Sequence, residues 1–327
     1  MIKGDSIRVS LVRLVDHLPF PPSPGQRKRG RPQTYSAQLL GTALVVMLIR
    51  RLYTAWSLVA VLPQEDPIVQ QLRPLLTEHG RCPTRRTWER RLAALPPTLP
   101  GLIGRLGRHL VTGLNPWAQQ GHGAAWDSTM VRAHGGVWHK KDREAGVVPH
   151  SAIDTDAQWS KSGWHGWWDG WKLHLAVSMG KLGIPLAAEC TRANVADSEV
   201  APLLLTHLPA AVRYVLGDHH DHTPDLHTEC SRHNRELVAT RRGAYPPTDG
   251  GVEVRRLFHK LRSQAIEPFN GLFKNLFEWG GQMPVKGLRR CQLLALGAGL
   301  LYQVVLLYQH QHHHPVGVGI KALLRAA

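Results

Sequence analysis

Three acidic residues in this 327-residue sequence stand where an acid needs a physical reason. Asp127 interrupts the apolar run AAWDSTMVRA, residues 124–133, whose composition is that of a buried strand. A carboxylate there must be paired, hydrogen-bonded or metal-bound to stay ionised. Asp218 follows a second strand-like segment, residues 212–216, across a single glycine in AVRYVLGDHHD. Glu267 lies on the helix-like stretch RRLFHKLRSQAIEPFNGLFKNLFE. Two acids at strands and one on a helix make a candidate cage for a hard divalent cation, which prefers oxygen ligands. Taken singly, each acid is as readily explained as a helix cap or half of an ion pair, and Asp221 is a weaker substitute for Asp218.

The histidines around Asp218 suggest a different metal. His219, His220, His222 and His227, with Asp221, have the side-chain chemistry of a zinc site. Adjacent histidines in one loop rarely all face one ion, however, and no helical HExxH occurs. His310 to His314, in QHQHHH, can scavenge metal without serving a function.

The elements around the acids suggest how they are positioned. WKLHLAVSM, residues 171–179, alternates as a strand does; GKLGIP is a turn, and PLAAECTRA, residues 185–193, is the returning strand. With the Asp127 strand these make an antiparallel meander of three. Residues 197–208 read as a helix, 212–216 as a strand, 224–233 as a helix and 236–240 as a last strand, before the long helix that carries Glu267. The layout is α/β, a mixed sheet flanked by helices. It matches the ribonuclease H-like order, in which acids come from the first strand, the end of the fourth and the last helix. On the last helix, Phe258, Leu261, Ala265, Phe269, Leu272 and Leu276 are spaced for an inward stripe, while Lys260, Glu267 and Lys274, with Gln264 and Asn270, line another face.

WDSTMVRAHGG, GWKLHLAVSMGKLGIPLAAECTRANVADSEVAPLLL, YVLGDHHD and IEPFNGLFK, in this order, resemble the catalytic domain of DDE transposases of bacterial insertion sequences. The similarity covers about residues 124–279, and RGRPQTYS before an apolar helix resembles the start of the same proteins. The resemblance implies that Asp127, Asp218 and Glu267 form the triad, with 90 residues between the first pair and 48 between the second. It implies Mg²⁺ as cofactor, with Mn²⁺ able to substitute. Two such ions can activate an attacking water or 3′-hydroxyl and stabilise the departing oxygen in an in-line phosphoryl displacement. It also implies phosphate-contacting basic residues: Lys274 stands seven after Glu267 as in the family. Ser263 occupies the usual Arg position with Arg262 one step off, and Lys260 stands in place of a Tyr. Lys172 is a further basic candidate on the strand 171–179. Asn194 and Asp197 match a recurring family segment, though a turn and a helix N-cap also account for them. Pro268 removes one helical hydrogen bond directly after the acid.

Length and charge frame the rest. The chain is long enough for about two domains. Its formal net charge is +16, and residues 1–120 carry 17 Lys/Arg against 6 Asp/Glu, so the basic excess lies mainly in the first third. A polyanion partner follows, nucleic acid before an anionic membrane. Residues 21–36, PPSPGQRKRGRPQTYS, break all periodicity, and Arg29 and Arg31 have the form of a minor-groove-reading arm, or of a solvated basic loop before a helix capped by Ser36. Residues 36–62 are almost continuously apolar, with Arg50 and Arg51 at a break. Residues 66–79 and 84–95 read as two helices joined by a short turn, with Arg85, Arg86 and Arg90 on the face opposite Trp88, Leu92 and Leu95. This resembles a helix-turn-helix reader, with phosphate contact favoured over base readout.

Four scattered cysteines form neither a disulfide framework nor a zinc ribbon, which fits a reducing compartment. No signal peptide is recognised at the start, and the apolar stretches 39–62 and 293–308 read as buried helices rather than membrane spans. Eight of the eleven tryptophans fall between Trp117 and Trp171. They suit either stacking on unpaired bases beside Lys140, Lys141 and Lys161, or a small satellite core formed by Trp164, Trp167, Trp168 and Trp171.

These readings combine into a basic helical DNA-binding region to residue 120, a ribonuclease H-like catalytic domain over 121–280, and a C-terminal helix with a His-rich tail over 281–327. The expected function is that of a bacterial, cytoplasmic, nucleoid-associated transposase. It would bind duplex DNA at transposon ends and target, work as a dimer in the synaptic complex, and carry out metal-dependent strand cleavage and strand transfer. The alternative is an inactive transposase-derived repressor that binds DNA without cutting it.

Overall fold

The computed structural model describes residues 6–20, 35–114, 122–162, 166–180, 182–218, 220–239, 249–276 and 279–326. The Arg29–Arg31 arm, Trp164 and His219 lie outside them.

The chain begins with helices because its apolar residues recur at helical spacing and its polar residues cap them. α1 (Ile7–Arg13) buries Val9, Leu11 and Val12. Ser36 Oγ accepts the Leu39 N–H and so starts α2 (Ala37–Ile49), which is buried along most of its length. The break expected at Arg50 and Arg51 is present: Arg51 adopts a positive φ of 55°, and α3 (Ala55–Val61) restarts behind a capping box made by Thr54 and Ser57. α4 (Pro67–Leu75) and α5 (Arg85–Ala93) form the helical pair expected from the sequence, with Thr84 capping the second. Trp88 and Leu92 are buried beneath it, and Arg85, Arg86 and Arg90 are exposed. α6 (Leu99–Leu114) leads towards the sheet.

The sheet has six strands. β1 (Gly123–Arg132) lies between β3 (Gly166–Ser178), antiparallel to it, and β5 (Tyr214–Leu216), parallel to it. β4 (Pro185–Arg192) pairs antiparallel with the second half of β3, and β6 (Glu236–Val238) extends the parallel side next to β5. The order β4-β3-β1-β5-β6 is the ribonuclease H-like arrangement expected. β2 (Gln158–Ser162), paired antiparallel with the first half of β3, was not expected. It and the short α7 (Lys140–Glu144) fall in the Trp- and Gly-rich segment, where side-chain periodicity is absent. There the strand is set by pairing with β3 rather than by alternation of its own residues.

Helices cover both faces. α8 (Asp197–His207) and α9 (Pro224–Arg232) pack on one, burying Trp126, Leu186, Val200, Leu204 and Leu226. The other face receives α6, α10 (Asp249–Leu276) and α11 (Leu288–Gln311), with α12 (Ile320–Ala326) after them. One continuous hydrophobic core joins Val9, Leu44, Trp88 and Leu106 of the helical region to Leu175 of the sheet and to Phe269 and Leu300. The basic region and the C-terminal helix therefore share a core with the sheet. α11 is the one helix among the described residues long and apolar enough to cross a membrane, and it is nearly all buried inside this core. Its Gln303 donates to the carbonyls of Ile103 on α6, at 2.9 Å, and Pro185 on β4, at 2.7 Å.

The inward face of α10 differs from the expected stripe. Ala265, Ile266, Phe269 and Phe273 are buried, whereas Leu261 is 41% exposed. Ala265 and Phe269 belong to the expected stripe, and Ile266 and Phe273 beside them were not in it. Tertiary packing sets Phe269 edge-on to Tyr302 and Phe273 edge-on to Trp279.

Gly107 shows how closely α6 and the sheet approach, since a Cβ there would overlap the Pro185 carbonyl oxygen. Gly107→Val is expected to destabilise the fold by about 1–3 kcal/mol, as overpacking does, measured by urea unfolding. An unchanged midpoint would mean that the helical region is not seated on the sheet as described.

Candidate active site

Asp127 and Asp218 are brought together by strand register. β1 and β5 pair in parallel as Gly123 with Tyr214, Ala124 with Val215 and Ala125 with Leu216. The pairing ends there, and Asp218, two residues further on, lines the same pocket as Asp127 and is near enough for its charge to act on the Asp127 carboxyl. Successive residues on β1 point to opposite faces. Asp127 shares the face of Ala125, towards α10, while Trp126 and Ser128 face α8 and α9.

Asp127 is compensated in two ways. Its Oδ1 accepts the Ser128 N–H at 2.9 Å and lies 3.1 Å from an Arg262 guanidinium nitrogen. Burial pushes its carboxyl above the ordinary value; Arg262 and the Ser128 N–H pull it down, and Asp197 and Asp218 push it up again.

Asp218 and Asp221 hold each other by their backbones. Asp218 Oδ1 accepts N–H groups from His220, at 2.7 Å, and Asp221, at 3.3 Å. In return Asp221 Oδ2 accepts the Asp218 N–H at 2.8 Å, and also the Trp126 Nε1–H at 2.8 Å. Asp221 is only 6% exposed. Its carboxyl is pushed up to about 6, by burial first and then by the charge of Asp218, with its hydrogen bonds opposing.

Asp197 and His174 complete the surroundings. Asp197 Oδ1 lies 2.9 Å from His174 Nδ1 and 3.6 Å from Lys172 Nζ, and its Oδ2 accepts the Ser128 hydroxyl at 3.0 Å. Burial opposes ionisation of Asp197, but His174, Lys172 and Ser128 outweigh it and hold the carboxyl below its ordinary value. His174 is buried, with its Nε2 2.8 Å from the Thr191 hydroxyl. A narrow pocket is lined by Trp126, Asp127, His174, Asp197, Asp218 and Asp221. Sequence reasoning assigned Asp197 to a cap and passed over His174. Its signal was a polar residue in the otherwise apolar strand WKLHLAVSM, the same kind that singled out Asp127.

Glu267 does not join this group. It is exposed on α10, and Arg262 occupies the place beside Asp127. Five residues along a helix correspond to about 140° of rotation and about 7.5 Å of rise, so the two side chains point in different directions. Lys260 is also exposed. Lys172, expected as a DNA contact, is 12% exposed and donates to the Val195 carbonyl at 3.0 Å beside Asp197, so its charge is used within the fold. Arg262, expected at phosphate, is paired with Asp127.

Asp127 and Asp218 supply the hard oxygen donors that Mg²⁺ or Mn²⁺ prefers, and the guanidinium beside Asp127 shows that the position is built to receive positive charge. The two carboxylates thus fit part of a divalent-cation site. Among the described residues no set of three or more His, Cys, Asp or Glu is arranged to hold a metal. That applies equally to the zinc reading, in which His222 and His227 are hydrogen-bonded to each other at 3.1 Å.

Residues 119–302 match the family model of the transposase DDE domain, a span of more than half the chain that includes all three acids. Two solved structures are similar in outline. One is a Mos1 transposase paired-end complex with left transposon end, 13% identical, covering 89% of this chain and 82% of that one with a TM-score of 0.22. The other is a pre-cleavage Mos1 transpososome, 11% identical, covering 86% and 81% with a TM-score of 0.23. Superpositions this weak add nothing to the fold, which rests on its own strand order. Among curated proteins no sequence matches the chain.

The raised carboxyl of Asp221 has a consequence for stability. The folded protein holds this proton up to about pH 6 while the unfolded chain releases it near the ordinary value of 3.8. Its contribution is therefore fully present below about pH 4 and is lost as pH rises through 6. Asp221→Asn is expected to remove up to about 3 kcal/mol of this pH dependence, read from urea unfolding of both proteins between pH 4 and 7. Identical pH slopes would contradict the buried, ionisable carboxyl described here.

Proposed function

The chain belongs to the DDE transposase family, and on that premise we propose that it cuts and joins DNA strands at transposon ends, with Asp127, Asp218 and Glu267 as its metal-holding triad. The observation that carries this reading is that Asp127, within β1, and Asp218, just past the end of the parallel β5, line one pocket, with a guanidinium beside the first. A divalent cation bound there would stabilise charge on the reacting phosphoryl group and on the departing oxygen. The protein's part is to orient the carboxylates, through the Ser128 N–H for Asp127 and through the N–H groups of His220 and Asp221 for Asp218.

Glu267 completes the triad in this reading only if α10 turns or slides, since Arg262 occupies the place beside Asp127. Replacement of Arg262 by metal at Asp127 would keep a cation beside the carboxylate and raise the positive charge there from one to two. It frees a guanidinium for a DNA phosphate, a group that it pairs with well. Exposed Arg85, Arg86 and Arg90 on α5 are proposed to contact the duplex backbone, as are Lys260 and Lys274 of α10 and the arm residues Arg29 and Arg31. Joining two ends would bring at least two copies together on DNA. The alternative is a repressor that binds DNA without cutting it, and one observation favours it: Glu267 stands outside the pocket.

Cleavage of labelled duplex carrying the element's own ends, with Mg²⁺ or Mn²⁺ and with EDTA, tests the reading. Asp127→Asn, Asp218→Asn and Glu267→Gln are each expected to lower cutting by about a hundredfold or more while leaving DNA binding intact. Binding without cutting by wild type under either metal would favour the repressor, and cutting that survives Glu267→Gln would remove Glu267 from the triad. For the basic helix, Arg85→Ala, Arg86→Ala and Arg90→Ala are each expected to reduce the slope of log affinity against log salt by about 0.9, measured by fluorescence anisotropy. An unchanged slope would place the duplex elsewhere.

A further inference from the structure

We infer that Trp126 and Asp221 form a positioning pair that fixes the Asp218 carboxylate in the direction needed to hold a cation. The inference rests on the reading of Asp218 as a metal ligand and adds two residues to it.

Asp218 lies one glycine beyond the end of a three-residue strand, in a turn rather than in the sheet. What holds it is a closed set of hydrogen bonds. Asp221 Oδ2 takes the Asp218 N–H, which fixes the backbone, and Asp218 Oδ1 takes the N–H groups of His220 and Asp221, which fixes the carboxylate plane. Trp126 ties this set to the sheet, because its Nε1–H reaches the same Asp221 oxygen from β1, one residue before Asp127. Strand β1 therefore carries one candidate ligand on one face and, from the adjacent residue on the other face, anchors the loop that carries the second. A rotation of β1 against that loop would disturb both together.

Two further observations separate positioning from ligation. Asp221 is almost fully buried, and its Oδ2 already serves two N–H donors, so that oxygen is committed. The space is also closed at Gly217: a Cβ there would lie 2.5 Å from Asp221 Oδ2 and 2.6 Å from Trp126 Nε1. Only glycine lets the indole and the carboxylate meet. Charge-assisted hydrogen bonds of this kind are strong and directional, which suits them to orienting a ligand. Loss of such partners behind a metal ligand costs about 10- to 100-fold in metal affinity.

The test uses the full chain and Mn²⁺ as probe. Two quantities are read: the Mn²⁺ concentration giving half-maximal cutting of end-bearing DNA, and the concentration giving half of the Mn²⁺-induced rise in melting temperature without DNA. Asp221→Ala is expected to raise both by about tenfold or more, with cutting restored at saturating Mn²⁺. Asp221→Asn, whose amide oxygen still accepts both N–H groups, should rescue most of that loss. Trp126→Phe, which keeps an aromatic ring and removes only the donor, should raise both several-fold, as should Gly217→Ala. These two report on the pair even if Asp221→Ala fails to fold. Unchanged concentrations in Trp126→Phe and Gly217→Ala would overturn the inference. So would cutting by Asp221→Ala that no amount of Mn²⁺ restores, since Asp221 would then be a ligand itself. A wild-type protein that shows neither Mn²⁺-induced stabilisation nor cutting would instead overturn the triad reading beneath it. Wild type that responds to Mn²⁺ while Asp218→Asn responds equally would remove Asp218 as a ligand and leave the pair without a role.

Discussion

A carboxylate on the central strand of a sheet covered on both faces is costly to keep charged, because water is replaced by groups that solvate it less well. In this chain that cost falls on Asp127, and much of the surrounding architecture supplies what offsets it. The next residue's N–H turns back to its oxygen, and a guanidinium from α10 comes within 3.1 Å. The parallel pairing of β1 with β5 then brings a second acid, Asp218, to the same pocket. That pairing requires a helical crossover between the strands, and α8 provides it. The N-terminal residue of α8 is Asp197, which locks Ser128, His174 and Lys172 on the opposite face. The surroundings of this one acid thus draw on β5, α8 and α10 together.

Much of this was legible in the sequence, for identifiable reasons. Strand order, the flanking helices and the first two acids followed from apolar runs bounded by Gly and Pro, each interrupted by one polar residue that needed a partner. The helical pair at the basic end followed from Thr84 as a cap and from Trp88 and Leu92 on one face. What was not legible depends on contacts between distant residues. β2 has no alternation of its own and exists because β3 offers it an edge. The inward stripe of α10 kept Ala265 and Phe269 of the expected set but took in Ile266 and Phe273 rather than Leu261, which depends on contacts such as that of Phe273 with Trp279. The satellite core was half right: Trp168 and Trp171 are buried, but Trp167 is 65% exposed beside Lys161. His174 was passed over, and Asp197 was named only for a family segment or a cap, because their meaning lies in each other, 23 positions apart.

The choice of stripe on α10 matters most for function. It directs Arg262 at Asp127 and turns Glu267 to solvent, so an internal cation stands beside the acid proposed as a metal ligand. The arrangement is electrostatically self-consistent: the guanidinium lowers the Asp127 carboxyl that burial raises, and a divalent ion would do so more strongly. In the proposed reading, exchange of one for the other would release a basic side chain for a DNA phosphate and make room for Glu267.

Iron-directed cleavage of the polypeptide tests the central claim most directly. Fe²⁺ has the charge and ligand preferences to enter an oxygen-lined site, and with ascorbate and peroxide it breaks the chain next to where it is bound. The account requires two cuts in the native protein, one near Asp127 in β1 and one in the loop at Asp218, both suppressed by excess Mg²⁺ and absent from Asp127→Asn. Cuts confined to the histidines at 310–314, or to the loop bearing His222 and His227, would show that the two aspartates do not hold the metal and would contradict the account at its base.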